Sequence, residues 1–148
     1  ETESVVLQTL DGAAGPRLLA SGEVDGEPYL VIERVEGVTL RERLAGAPLP
    51  AAEVAMIGAS IADALHRLHR CHVVHHDLRP EHVVLTADGR AVLQEFGAAH
   101  HARLPDLVAI DFLIPVVTAY DPPETAAGFR PATVWRRKSC PTPDCAPG

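Results

Sequence analysis

An α+β fold is what this sequence predicts, and three observations carry that reading. Two tight-turn dipeptides, Asp25-Gly26 and Asp88-Gly89, each sit between short apolar runs, and one long stretch of helical periodicity lies between them. Asp-Gly favours the positive φ of a hairpin turn, so each dipeptide joins two antiparallel strands. Ile57, Ile61, Leu65 and Leu68 recur at i, i+4, i+8 and i+11, the spacing of one stripe on a helix.

In chain order the first element is a helix. Val5, Val6, Leu7 and Leu10 supply its apolar face, and Gly12 and Gly15 stop it; with Glu1 as first residue, the helix is expected to be entered partway. Residues 17–23 and 29–35 form the first hairpin, and Gly37 breaks its second strand. Thr39 is placed to cap a short helix over 40–44, with Glu42 completing a capping box. The long helix covers 51–70. Residues 83–85 and 91–93 make the second hairpin, whose last strand Gly97 ends. Beyond Pro122-Pro123 the periodicity fades. Residues 136–148 mix Arg136-Arg137-Lys138 with three prolines, a tail that builds no core.

Composition narrows the function. At 148 residues, 47% hydrophobic and 22% charged, the chain has the size and content of one packed domain. A net charge of -7 argues against nucleic acid as a partner. No apolar run approaches the roughly twenty residues that span a bilayer, so no membrane span is expected. Cys71, Cys140 and Cys145 make no disulfide framework, and a cytoplasmic setting follows as the expectation.

Chemistry concentrates in His75-His76-Asp77-Leu78-Arg79-Pro80-Glu81-His82, a loop entering the second hairpin. A carboxylate there can accept a hydroxyl proton, a guanidinium two residues on can neutralise a phosphoryl group, and an imidazole five residues on can hold a divalent cation. The segment resembles the catalytic loop of protein kinases, His-Arg-Asp-Leu-Lys-Pro-Glu-Asn. Glu95-Phe96-Gly97 stands where that family has Asp-Phe-Gly, and Tyr120-Asp121-Pro122-Pro123-Glu124 resembles the close of its activation segment.

The resemblance covers roughly residues 3–135 and implies a partial kinase-like fold. Residues 1–35 would be the end of the small lobe with the hinge strand, 36–135 the start of the helical lobe, and 136–148 a tail. It implies a serine/threonine kinase whose parent moves the γ-phosphoryl group of ATP to a protein hydroxyl, with Mg²⁺ as cofactor and a protein substrate or regulatory protein as partner. Asp77 and Arg79 would be catalytic, and His82 and Glu95 would hold metal. Glu3 falls at the glutamate of the family's C-helix. Ile32 falls at the gatekeeper, the backbone of Glu33 and Val35 would meet adenine, and Val84 would lie beneath it. Leu7, Leu18, Phe96 and His75 would form a coupling stack.

Departures from the family pattern bear on activity. Its glycine-rich loop and Val-Ala-Ile-Lys strand belong ahead of Glu3, and no lysine precedes Lys138, so the chain by itself is expected to be inactive. His82 replaces asparagine at a metal position, and imidazole suits softer ions than Mg²⁺. Glu95 replaces aspartate, Arg79 replaces lysine, and His76 replaces the arginine that answers a phosphorylated loop. Glu124 lacks its arginine partner, and Thr133-Val134-Trp135 stands where Asp-x-Trp is expected. These changes frame the alternative of a pseudokinase scaffold without catalysis. A small-molecule phosphotransferase is disfavoured by residues 120–124. Six histidines between positions 66 and 82 also suggest zinc, though no cysteines lie at finger spacing.

Overall fold

Val6, Leu7 and Leu10, at i, i+1 and i+4, define the inner face of helix α1 (Thr2–Leu10), and each is at most 2% exposed. The helix ends where the backbone turns left-handed, at Asp11 (φ 42°) and Gly12 (φ 80°), with the Asp11 N–H still bonded to the Leu7 carbonyl at 3.1 Å. The computed structural model describes residues 2–101 and 119–120. The chain divides into two units, Glu1–Leu113 and Ile114–Gly148. The described helices and strands all belong to the first unit, while Ala119 and Tyr120 form an exposed turn in the second. Asp121 to Glu124, Thr133-Val134-Trp135 and the tail with Cys140 and Cys145 lie outside the described residues.

Strands β1 (Leu18–Val24) and β2 (Glu27–Ile32) pair antiparallel around Asp25 (φ 53°) and Gly26 (φ 84°). Two left-handed residues in a two-residue loop match the right-handed twist of the strands. The sequence placed the second strand as far as residue 35, but it stops at Ile32. The last bond runs from the Glu33 N–H to the Arg17 carbonyl at 2.8 Å. The return bond of that pair is not made, because the Arg17 N–H turns to the Glu33 side chain, with Oε2 at 3.4 Å.

Strand β3 (Val38–Thr39) leads into α2 (Leu40–Leu44), and the expected capping box is present. The Glu42 N–H donates to Thr39 Oγ1 at 3.1 Å, and the Thr39 N–H donates to Glu42 Oε2 at 2.7 Å. The Thr39 N–H, then its hydroxyl, hold the Glu42 carboxyl below its ordinary range. Helix α3 (Ala51–Arg70) has the bounds its periodicity predicts. Arg43 Nε and Nη2 reach Glu53 Oε1 and Oε2 at 2.8 and 2.7 Å, a fork that fixes α2 on the first turn of α3. Of the expected stripe, Leu68 is buried with Ala64, while Ile57, Ile61 and Leu65 stay half-buried.

Beyond α3 come β4 (Val73–Val74), a 3₁₀ turn (Pro80–His82), β5 (Val83–Leu85), β6 (Ala91–Leu93), a second 3₁₀ turn (Phe96–Ala98) and β7 (His100–His101). Antiparallel sheets order as β3-β5-β6 and β4-β7, pairings the sequence did not reveal beyond the β5-β6 hairpin. That hairpin closes differently from the first. The Gly89 N–H bonds to the Thr86 carbonyl at 2.9 Å before left-handed Gly89 (φ 79°), a β-turn followed by a bulge.

The core forms where α1, the end of α3, β5, β6 and Phe96 meet; Leu68, Val73, Leu93 and Phe96 are fully buried. Two bonds lock this junction: Ala91 N–H to Ser60 Oγ at 2.7 Å and Leu93 N–H to the Ala14 carbonyl at 3.0 Å. A Cβ at Gly15 would lie 2.6 Å from the Phe96 ring, so the chain passes the ring only because that residue has no side chain. No described helix is long and apolar enough to cross a membrane.

Candidate active site

Strand β4 delivers His75 into the core, where its ring is 3% exposed and packs on Phe96 with centroids 5.0 Å apart. Leu7 is buried in the same cluster as Phe96, and Leu18 packs against that cluster. His75 Nε2 lies 2.9 Å from the Gln94 carbonyl, and its Nδ1 accepts the Asp77 N–H at 3.3 Å. Nε2 therefore bears the proton and Nδ1 the lone pair, which is the neutral ring. Burial, ahead of repulsion from His82, lowers the His75 pKa and favours that form, against the smaller opposing pull of Asp77 and the Gln94 bond.

His76 takes a left-handed backbone (φ 63°) that turns the chain between His75 and Asp77. Its ring faces His100 at 6.3 Å, and burial, then repulsion from His100 and His75, lowers its pKa. Asp77 follows with 29% of its side chain exposed. Its Oδ1 accepts from Arg79 Nε at 2.6 Å, and Oδ2 lies 3.5 Å from His82 Nδ1. His82 Nδ1–H donates to the Asp77 carbonyl at 2.7 Å. Arg79 and His82 thus converge on Asp77, the first at its carboxylate and the second at its main-chain carbonyl.

Strand β6 covers 91–93 as expected and stops short of Gly97: Gln94 makes one more rung with His82, but the return bond is lost because the His82 N–H goes to the Arg79 carbonyl. The Gln94 N–H donates to the His82 carbonyl at 2.8 Å while its own carbonyl receives His75. Glu95, next in the chain, is exposed and left-handed (φ 63°, ψ 65°). Glu3, at the start of α1, accepts the Phe96 N–H on Oε1 at 3.3 Å. Glu3 is thus tied to the Glu-Phe-Gly segment through a main-chain amide.

At the other end of the unit's described chain, Ile32 is 40% exposed, Glu33 is exposed and Val35 half-buried. Glu33 uses its N–H on Arg17 and its Oε2 on the Arg17 N–H at 3.4 Å. Neither the Glu33 carbonyl nor the Val35 N–H has a backbone partner among the described residues. Val84 is buried in β5, paired with Thr39 of β3. Among the described residues no three His, Cys, Asp or Glu side chains are grouped to hold a metal ion, and this includes the histidines of α3. Sequence reasoning missed Gln94 altogether. Its contribution is made by main-chain atoms, and no side-chain pattern marks it.

The protein kinase domain family matches residues 2–125. The serine/threonine-protein kinase PknL of Mycobacterium tuberculosis is 26% identical over 127 residues, covering 85% of this chain and 32% of that kinase. The probable serine/threonine-protein kinase pknA2 of Bifidobacterium longum is 33% identical over 105 residues, 70% of this chain and 14% of its own length. PknI of M. tuberculosis, also a serine/threonine-protein kinase, is 34% identical over 91 residues, 57% of this chain and 16% of its length. The chain spans about a third or less of the curated relatives it matches. With the Asp77 loop, the Glu-Phe-Gly turn and the family match in agreement, this chain belongs to the protein kinase domain family and is part of a serine/threonine kinase-like domain.

Proposed function

We propose that the parent of this chain transfers the γ-phosphoryl group of ATP to serine or threonine hydroxyls of a protein. The convergence of Arg79 and His82 on Asp77, held by the Gln94 main chain, is the observation that supports this most directly. Asp77 accepts and orients the hydroxyl. Arg79, already in contact with Asp77, reaches toward the transferred phosphoryl with its remaining N–H groups.

The residues fit a nucleotide. The Glu33 carbonyl and Val35 N–H are the unused main-chain groups that an adenine edge needs, and Val84 offers an apolar surface. When bound, Mg²⁺ supplies charge neutralisation on the phosphates. It characteristically takes one or two protein ligands and completes its shell with phosphate and water, so the lack of a three-residue cluster among the described residues is compatible with His82 and Glu95 in that role. Residues 1–35 are read as small-lobe chain with the hinge, and 36–135 as the start of the large lobe.

The test is phosphate transfer from radiolabelled ATP to a generic protein substrate by the full-length protein that contains this segment. Asp77→Asn is expected to lower kcat about a hundredfold or more, with KM for ATP little changed. ATP binding without transfer in the unaltered protein would instead identify a scaffold.

A further inference from the structure

A cleft of about 430 Å³ is bounded by the segment before β1, the chain after β2, α3 and the β5-β6 turn. We infer that it binds a dianionic phosphate group, free or carried as a monoester, through Arg17, Arg34, Arg67 and Arg90. The cleft shares only Glu33 and Val35 with the proposed nucleotide site; Asp77, Arg79, His82, Val84 and Glu95 do not line it. The inference stands whether or not the parent transfers phosphate.

Unused charge is the first support. The four guanidinium groups come from four separate segments of a chain whose net charge is -7, and they outnumber the lining carboxylates of Asp11, Glu33 and Glu36. Arg17 Nε and Arg90 Nε approach Asp11 and Asp88 only to 3.9 and 4.0 Å, beyond hydrogen-bond reach, on well-exposed side chains. Arg34 has no side-chain partner among the described residues. Arg67 gives Nη1 to Asp63, while its Nε is closed to solvent with no acceptor in the protein, and a buried donor left over in this way calls for a bound oxygen. Arginine forks match the oxygens of carboxylate and phosphate alike. Four of them exceed what one carboxylate can accept, whereas a phosphomonoester offers three terminal oxygens and about two negative charges.

A fixed frame is the second support. The Arg17 carbonyl accepts the Glu33 N–H at 2.8 Å. Arg90 is held by Thr86 at both main-chain groups: its carbonyl accepts the Thr86 N–H at 2.9 Å, and its N–H donates to Thr86 Oγ1 at 3.2 Å. Arg67 lies within α3, and Ala14, also in the lining, is tied to β6 by the Leu93 N–H at 3.0 Å. Three of the four arginines therefore have their backbones set before a ligand arrives, which confines the cost of ordering to their side chains. A face of merely solvated charges would show no saturable binding.

The test is isothermal titration calorimetry on the nucleotide-free full-length protein that contains this segment, at about 0.15 M salt to screen non-specific attraction. The probes are a phosphothreonine peptide with uncharged flanks, the same peptide with glutamate in place of phosphothreonine, and inorganic phosphate. The phosphopeptide should bind saturably. Arg34→Gln and Arg90→Gln, both at exposed positions, should each weaken it about tenfold, the loss expected when one guanidinium contact is removed, while Arg70→Gln at the end of α3 leaves it unchanged. Inorganic phosphate binding as tightly as the peptide identifies the free ion as the ligand, and phosphate binding much more weakly identifies a phosphorylated chain; both outcomes uphold the cleft. Absence of saturable binding by either phosphate probe, or equal binding of the glutamate peptide, overturns the inference. So does phosphate binding that survives both substitutions and is lost in Arg79→Gln, which puts the phosphate beside Asp77 instead.

Discussion

His75 has a buried ring that must stay neutral to keep both of its hydrogen bonds. It and His76 are held below the ordinary histidine value of 6.5 in the folded chain. As pH falls through that value the unfolded chain takes up protons that the folded chain refuses, so stability is greatest at higher pH and is lost as pH drops below about 6.5. Thermal melts should therefore show Tm falling between pH 7.5 and pH 5.5. His75→Phe should flatten part of that slope, and a Tm independent of pH over this range would show that the rings are not neutral in the fold. Asp77, Arg79 and His82 were singled out by resemblance to the kinase catalytic loop, which fixes their order. Their mutual contacts were not, since Arg79 reaches Asp77 by Nε and His82 reaches it through a carbonyl, details set by rotamer and backbone.

Helices were the most legible elements. The bounds of α3 follow from its periodicity, and the Thr39-Glu42 box marks the start of α2 at the residue just before it. Thr39→Ala removes the acceptor for the Glu42 N–H and should cost about 1 kcal/mol in urea unfolding. An unchanged midpoint would mean that the Arg43-Glu53 fork alone fixes α2. Strand ends were less legible, for two separate reasons. β2 stops where the Arg17 N–H turns to the Glu33 side chain, and β6 stops where the His82 N–H is taken by the Arg79 carbonyl and the Gln94 carbonyl by His75; none of these partners is marked by alternation in the strand itself. The two-residue pairs β3-β5 and β4-β7 are too short for any alternation to mark them.

At the scale of the whole unit, apolar cover is uneven. Leu19, Val24, Tyr29, Leu30, Val31 and Ile32 are all exposed on the β1-β2 ribbon, and its strands pair only with each other among the described residues. A ribbon with open edges and apolar faces is a template for further pairing. The isolated chain should self-associate, with light scattering and apparent Tm both dependent on protein concentration. A sharp, concentration-independent transition would contradict this. The junction that organises the loop of residues 75–82 has the opposite character. Gln94 secures it with one amide and one carbonyl, groups that every residue except proline possesses. Substitutions at 82 or 95 therefore leave the backbone of this junction in place and change only the side chains it presents.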